Sequence, residues 1–180
     1  MNPKEVARSI FDQLPNGFFL GKLQGSFPLH VAAKEGYLHK MPASAITLST
    51  LLSKDSGGCT VFQRAASSGC LDAIPQKFLT GSVLLDVTPN GNNCIHLAAS
   101  TKSLNHIPKE LLSAENLLVV DAANQSVLEI AASTGCLEQL LGTELPDECR
   151  AIVGDEWWAM NEDVCRISRP AVAESEVEIF

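Results

Sequence analysis

One seven-residue pattern recurs four times in this chain, at a fixed step of 33 residues. The four segments align without gaps: Phe27-Pro28-Leu29-His30-Val31-Ala32-Ala33, Thr60-Val61-Phe62-Gln63-Arg64-Ala65-Ala66, Asn93-Cys94-Ile95-His96-Leu97-Ala98-Ala99 and Ser126-Val127-Leu128-Glu129-Ile130-Ala131-Ala132. The period continues past them. Gly36, Gly69, Lys102 and Gly135 follow three places after each Ala-Ala, and Leu38, Leu71, Leu104 and Leu137 come next in register. Prolines 42, 75 and 108 keep the same step, and turn-forming stretches such as Ser56-Gly57-Gly58 and Pro89-Asn90-Gly91-Asn92 precede the motifs. A unit this short cannot bury its own apolar face, so neighbouring units must stack to share one core.

Within a unit the residues dictate a helical hairpin. Leu29, Phe62, Ile95 and Leu128 begin a short helix, and the Ala-Ala pairs let helices of adjacent units approach closely. Gly36, Gly69 and Gly135 permit the left-handed residue that ends such a helix. Leu38, Leu71, Leu104 and Leu137 then start a second, antiparallel helix. The recurring proline falls inside that second helix, where it costs about 3 kcal/mol, so the helix is expected to break or kink there, with Ser103-Leu104-Asn105-His106 as one turn and Pro108-Lys109-Glu110-Leu111-Leu112 as a fresh short helix. Ser113-Ala114-Glu115-Asn116 reads as a further capped turn.

Motif, period and turn together resemble the ankyrin repeat, whose signature is T-P-L-H-x-A at 33 residues. The resemblance implies an all-α solenoid of helix-turn-helix repeats with short β-turn or hairpin loops. It divides a single domain, 1–168, into an N-terminal cap at about 1–24, repeats at about 25–140 and a C-terminal cap at about 141–168. In the N-terminal cap, Val6, Ile10 and Phe11 lie on one helix, and Phe18 and Phe19 join the core. Residues 169–180 lack a helical pattern and read as a flexible acidic tail. Departures from the signature are plain. Thr-Pro survives only in part, as Pro28 and Thr60, and the motif His is Gln63 in the second unit and Glu129 in the fourth. Losing the imidazole that ties a turn to its neighbour predicts softness in those two units.

Charge narrows the partner. The net charge is −8, but residues 1–110 carry a balance of +3 and residues 111–180 one of −11. Such an acidic end argues against nucleic acid, whose binding rests on neutralising phosphates; it suits either a basic protein partner or a solvated cap that only confers solubility. Aromatic residues are few (6%), so Leu, Ile, Val and Ala must build the core. The six cysteines form no C-x-x-C and no zinc-finger spacing. Neither a signal peptide nor an apolar run of about 18 residues is visible. Free thiols, a cytoplasmic monomer and no membrane partner are the expectation.

No apparatus for catalysis stands out. Gly17-Phe18-Phe19-Leu20-Gly21-Lys22 lacks the length and hydroxyl of a phosphate loop. His30 and His96 hold the motif position and read as structural hydrogen-bonders. His39 and His106 have no ligand-spaced partner, Cys94 and His96 do not make a metal site, and Cys70 and Cys136 are small groups at a helix start. No enzyme activity, metal or cofactor is expected.

The ankyrin resemblance implies a concave partner-binding groove. Its lining would be Lys34, Glu35, Ser67, Ser68, Ser100, Thr101, Ser133 and Thr134, joined at the hairpin tips by Lys54, Ser56, Pro89 and Asn90. Further tip positions are Lys22, Leu23, Gln24, Val87, Val120 and Ala122. Trp157 and Trp158 cannot both bury against one patch, since adjacent helix positions point about 100° apart; one is expected to seal the core and the other to be an exposed anchor. Ile179 and Phe180, after a run of glutamates, are a second candidate anchor. The leading functional reading is an intracellular adaptor that binds one protein in the groove. The alternative is an inhibitor or immunity protein whose acidic third masks a basic toxin or nuclease.

Overall fold

The computed structural model describes residues 28–41, 43–143 and 145–161. The expected N-terminal cap helix, Phe18, Phe19, Lys22 to Gln24, Pro42, Ile179, Phe180 and the acidic tail lie outside the described residues. Those described are helices and turns, with one isolated antiparallel bridge, Val120 to Ser126, and no strand. The fold is all-α.

Four helices begin 33 residues apart: α1 (Pro28–Lys34), α3 (Val61–Ala66), α5 (Cys94–Ser100) and α7 (Val127–Thr134). Their starts have a chemical cause. Thr60, Asn93 and Ser126 are extended N-caps whose side chains accept from the backbone N–H three places on, while that residue's side chain reaches back to the cap's N–H. This reciprocal box satisfies two donors that a helix start leaves bare. Gln, His or Glu can serve there, because each offers an acceptor: Gln63 Oε1 lies 2.9 Å from Thr60 N and Glu129 Oε2 lies 2.7 Å from Ser126 N.

Each helix also ends in one way. Gly36, Gly69 and Gly135 take φ of +75°, +68° and +72°, and Lys102 takes +56° in the same place. The next N–H returns to the first alanine's carbonyl: Tyr37 to Ala32 (2.7 Å), Cys70 to Ala65 (2.8 Å), Ser103 to Ala98 (2.8 Å), Cys136 to Ala131 (3.0 Å). That closure satisfies carbonyls at the helix end.

The second arm is broken at its proline, as expected, into three short pieces, and the one expected as a short helix at 108–112 is a 3-10 turn, Lys109–Leu111. A 3-10 turn (Leu71–Ala73 or Leu104–His106) is followed by proline, a second 3-10 turn (Gln76–Phe78 or Lys109–Leu111), and then a short helix. These short helices are α2 (Leu48–Leu52), α4 (Gly81–Leu84) and α6 (Ala114–Leu117). Proline disfavours helical backbone in the residue before it. Met41, Ile74 and Ile107 accordingly sit at ψ of 148°, 131° and 134°. Ser113 precedes α6 as an extended cap but makes no side-chain cap bond.

Packing follows the period. α1 lies on α3, α3 on α5 and α5 on α7. Ala32, Ala33, Ala65, Ala66, Ala98 and Ala99 are wholly buried at these contacts. Behind them run two leucine rows, Leu38, Leu71 and Leu104, and Leu51, Leu84 and Leu117, all fully enclosed. A buried leucine contributes about 1.5–3 kcal/mol, so these rows dominate the core.

The fourth unit is irregular. Its 3-10 turn, Leu137–Leu140, is followed by Leu141 where the others have proline. The proline turn comes late, as Pro146 capping Asp147–Cys149, before α8 (Arg150–Val153) and α9 (Asp155–Met160). α8 packs on α7, and α9 on α8.

Candidate binding surface

Between units the chain turns through tips that also keep the 33-residue step. Asp55 N donates to Cys59 O (3.0 Å), Thr88 N to Asn92 O (2.8 Å) and Asp121 N to Gln125 O (3.0 Å). Asp55 and Asp121 brace their tips from within. Each accepts two backbone N–H groups on Oδ1, from Gly57 and Cys59 and from Ala123 and Gln125. Adjacent tips touch: Ala122 N donates to Asn90 O at 3.3 Å, and a Cβ on Gly91 would sit 2.8 Å from Ala122 N. Only glycine fits there.

Side chains at the motif position tie each tip to the helix before it. His30 Nε2 donates to Ser53 O (2.8 Å), Gln63 Nε2 to Asp86 O (3.0 Å) and His96 Nε2 to Val119 O (3.0 Å). The expected softness of the second unit is therefore corrected, because the Gln63 amide carries the same N–H donor to the same place. Glu129 has no proton to donate; its carboxylate is exposed and accepts from Ser126 N and Oγ, which holds it below the usual carboxylate range. Burial pushes the imidazoles of His30 and His96 below their ordinary pKa.

The sequence-predicted surface residues separate into two sets. Lys34, Glu35, Ser67, Ser100 and Ser133 are exposed at the ends of α1, α3, α5 and α7, and Lys54, Ser56, Pro89 and Asn90 are exposed at the tips. Ser67, Ser100 and Ser133 donate to their own helices (2.8–2.9 Å), which leaves their oxygens as outward acceptors. Thr101 and Thr134 are half-buried and face inward. Thr101 Oγ1 donates to Ala66 O (3.0 Å) and Thr134 Oγ1 to Ala99 O (3.1 Å), so both hydroxyls fasten one helix to the previous one. Ser68 is half-buried beside them.

Arg64 was not singled out by sequence, although its register holds Val31, Leu97 and Ile130 in the other units and its charge is the exception. Its Nε lies 2.6 Å from Asp55 Oδ2. Burial would raise the Asp55 pKa, but the Arg64 hydrogen bond and the Cys59 and Gly57 N–H groups outweigh it and hold the carboxyl below its usual range. A cleft of about 280 Å³ lies on one side of Arg64, against Val31, Lys34 and Glu35. Another of about 210 Å³ lies on the other side, against Ser67, Asn90 and Leu97. Val31, Val87 and Val120 are also exposed along this side of the molecule's helices and tips, at 38%, 50% and 49%.

Trp157 and Trp158 are both buried, at 5% and 6%, which corrects the expectation of one exposed anchor. Trp157 Nε1 donates to Leu137 O (2.8 Å), and both indoles belong to the main core cluster. Neighbouring positions about 100° apart on α9 are thus both covered by the core.

Among the described residues no group of three or more His, Cys, Asp or Glu is placed to hold a metal ion, and no helix is long and apolar enough to cross a membrane. Cys59, Cys70, Cys94, Cys136 and Cys149 carry thiols rather than disulfides, and burial pushes the Cys94 thiol far up. No protein-family model matches the chain, and no curated protein matches it.

Proposed function

We propose that this chain is an ankyrin-type repeat solenoid that performs no catalysis and holds a partner protein along the row of helix ends and tips. The observation that carries the reading is the register of that row. Ser67, Ser100 and Ser133 present acceptors at equal steps, beside exposed Val87 and Val120 and the Arg64–Asp55 pair. Satisfied tips and side-chain ties hold the row rigid, which lowers the entropy lost on binding. The resemblance in motif and period is the second support. Function here is an adaptor's, in the cytoplasm, with a monomeric chain and no cofactor.

The alternative, an inhibitor whose acidic third masks a basic toxin or nuclease, rests on charge alone, since Trp157 and Trp158 are both buried and offer it no exposed aromatic anchor.

The test begins with capture by the immobilised full chain, identification of the captured protein and direct titration of that purified protein. Ser67→Glu with Ser100→Glu should weaken the titrated affinity by about tenfold or more with the circular dichroism unchanged, since a carboxylate buried at an interface without a matched partner costs several kcal/mol. Undiminished affinity in that variant would sink the proposal.

A further inference from the structure

Among the described residues, the cleft of about 210 Å³ beside Arg64 has one charged residue in its lining, Arg64 itself. Its walls come from two neighbouring units: Gly57 and Gln63 stand with Arg64 in the second, and Pro89, Asn90 and Leu97 in the third. The space is smaller than the roughly 300–1,000 Å³ of a small-molecule site, so it suits a single side chain better than a metabolite.

The guanidinium is held in place there. Its Nε donates to Asp55 Oδ2 at 2.6 Å, and the Asp55 side chain is 2% exposed. The other oxygen of Asp55 takes the Gly57 and Cys59 N–H groups, so three donors already meet that carboxylate. Gly57 does not have the left-handed backbone that would call for glycine; a Cβ there would stand 2.9 Å from Arg64 Nη2, so the missing side chain gives the guanidinium its seat. Gly57 lines this cleft and not the one of about 280 Å³, which puts Nη2 on this side. Nη1 and Nη2 bond to none of the described residues, and the Arg64 side chain is 33% exposed. What faces outward is a planar pair of donors at a fixed position, which the two oxygens of a carboxylate match. Asn90, in the same lining, bonds through its backbone oxygen alone among the described residues, so its side-chain amide is a further donor.

The nearby anions do not compete for this pair of donors. Asp86 is paired with Lys54 at 3.5 Å, and Glu35 stands with Lys34 on the other cleft. Past Arg64 the row turns apolar: Leu97 and Ile130 hold its register, and Val87 and Val120, both about half exposed, hold that of Lys54. We propose, on the adaptor reading from which this inference proceeds, that the partner presents an aliphatic segment with one aspartate or glutamate, whose carboxylate enters the cleft and takes the two outer nitrogens of Arg64. The aliphatic side chains of that segment lie against Leu97, Val87 and Val120. Asp55 balances Arg64 while the cleft is empty, and the incoming carboxylate binds the opposite edge of the guanidinium without displacing it. A lysine or arginine at the same place would meet like charge.

The probe is a library of random short peptides displayed on phage and panned on the immobilised full-length chain, with synthetic copies of the enriched sequences then titrated. Those sequences should share one Asp or Glu beside aliphatic residues. Changing that residue to Asn or Gln in the peptide should weaken binding about tenfold, the scale of a charge-assisted pair. Arg64→Met should cost the acidic peptide the same factor and leave the Asn or Gln peptide where it was. Arg64→Lys, which keeps the charge and loses the planar donors, should stay about fivefold weak. Lys34→Met, an exposed charge nearby, should cost about twofold at most. Asp55→Asn with Arg64→Met, which leaves no buried charge unpaired, repeats the measurement if Arg64→Met unfolds the chain. A pool no richer in acidic residues than the library would overturn the proposal, as would equal losses at Lys34→Met and Arg64→Met. Peptides indifferent to Arg64→Met but weakened by Ser67→Glu with Ser100→Glu would overturn it while the row reading stands. Peptides indifferent to all of these changes would sink both.

Discussion

The second and third units differ from the fourth in how completely their residues are used. In the former, every register position has a repeated job: the cap, the alanine pair, the left-handed residue, the leucine, the proline and the tip. The fourth keeps the first half of that list and loses the second. Leu104 is wholly buried while Leu137, in the same register, is half-buried, and Ala99 is enclosed while Ala132 is not. His96 ties to Val119, while Glu129 ties to nothing beyond its own cap. A residue's value in this molecule comes from having a neighbour on both sides, not from its identity.

That contrast can be broken at several points, beginning with the leucines. Leu104→Ala should cost about 2–5 kcal/mol in urea unfolding, the range for an enclosed leucine. Leu137→Ala should cost clearly less; equal losses would mean that the fourth unit is as tightly packed as the third. Ala98→Leu comes next, at about 1–3 kcal/mol, because α5 has no room for added methyl groups against α3. The same change at Ala132 should be mild, and thermal melts of the pair would decide.

Acid should act on the imidazole ties. His30 and His96 have folded pKa values below the unfolded value near 6.5, so below that pH the unfolded chain binds more protons. Their contribution is complete above about pH 6.5 and is lost as pH falls towards the folded values. Asp55, also lowered, adds a separate loss that begins only near pH 3.8. His30→Gln with His96→Gln should flatten the melting temperature between pH 5 and 7, since Gln63 makes the same bond without titrating. A slope that survives in that variant would assign the acid sensitivity elsewhere. The smallest effect is expected at Lys102, the one left-handed position of the four without glycine. Lys102→Gly relieves a strain of about 1–2 kcal/mol but adds unfolded-state entropy, for a net gain of roughly 0.5 kcal/mol.

Sequence carried the first half of each unit because its causes are local. Alanine pairs and glycines act within a few residues, so the helix starts, expected at 29, 62, 95 and 128 and found at 28, 61, 94 and 127, and the left-handed ends could be read from spacing to within one residue. Proline breaks and the division of the second arm into short pieces were legible for the same reason, but the 3-10 winding of the piece after the proline was not, since it depends on how the arm packs. Gln63 was misjudged because a motif letter was weighed and its donor was not. Arg64 and Asp55 are nine residues apart and meet only through a tip folded over a helix. Pro146 escaped notice because it breaks the period that made the other prolines visible, and the tryptophans were misread for want of that same irregular unit.

The side-chain ties have a kinetic consequence. His30, Gln63 and His96 each reach 23 residues along the chain, Thr101 and Thr134 reach 35, and the longest reach among the described residues, from Cys136 to Ala99 and from Gln139 to Lys102, is 37. Short loops close at small entropic cost, so such a chain should begin folding at several places and spread outward, without waiting for distant ends to meet. Opening should run the other way. Amide exchange ought to be fastest in α8 and α9, slower in α7, and slowest in α3 and α5, because the irregular fourth unit is less enclosed than the regular ones.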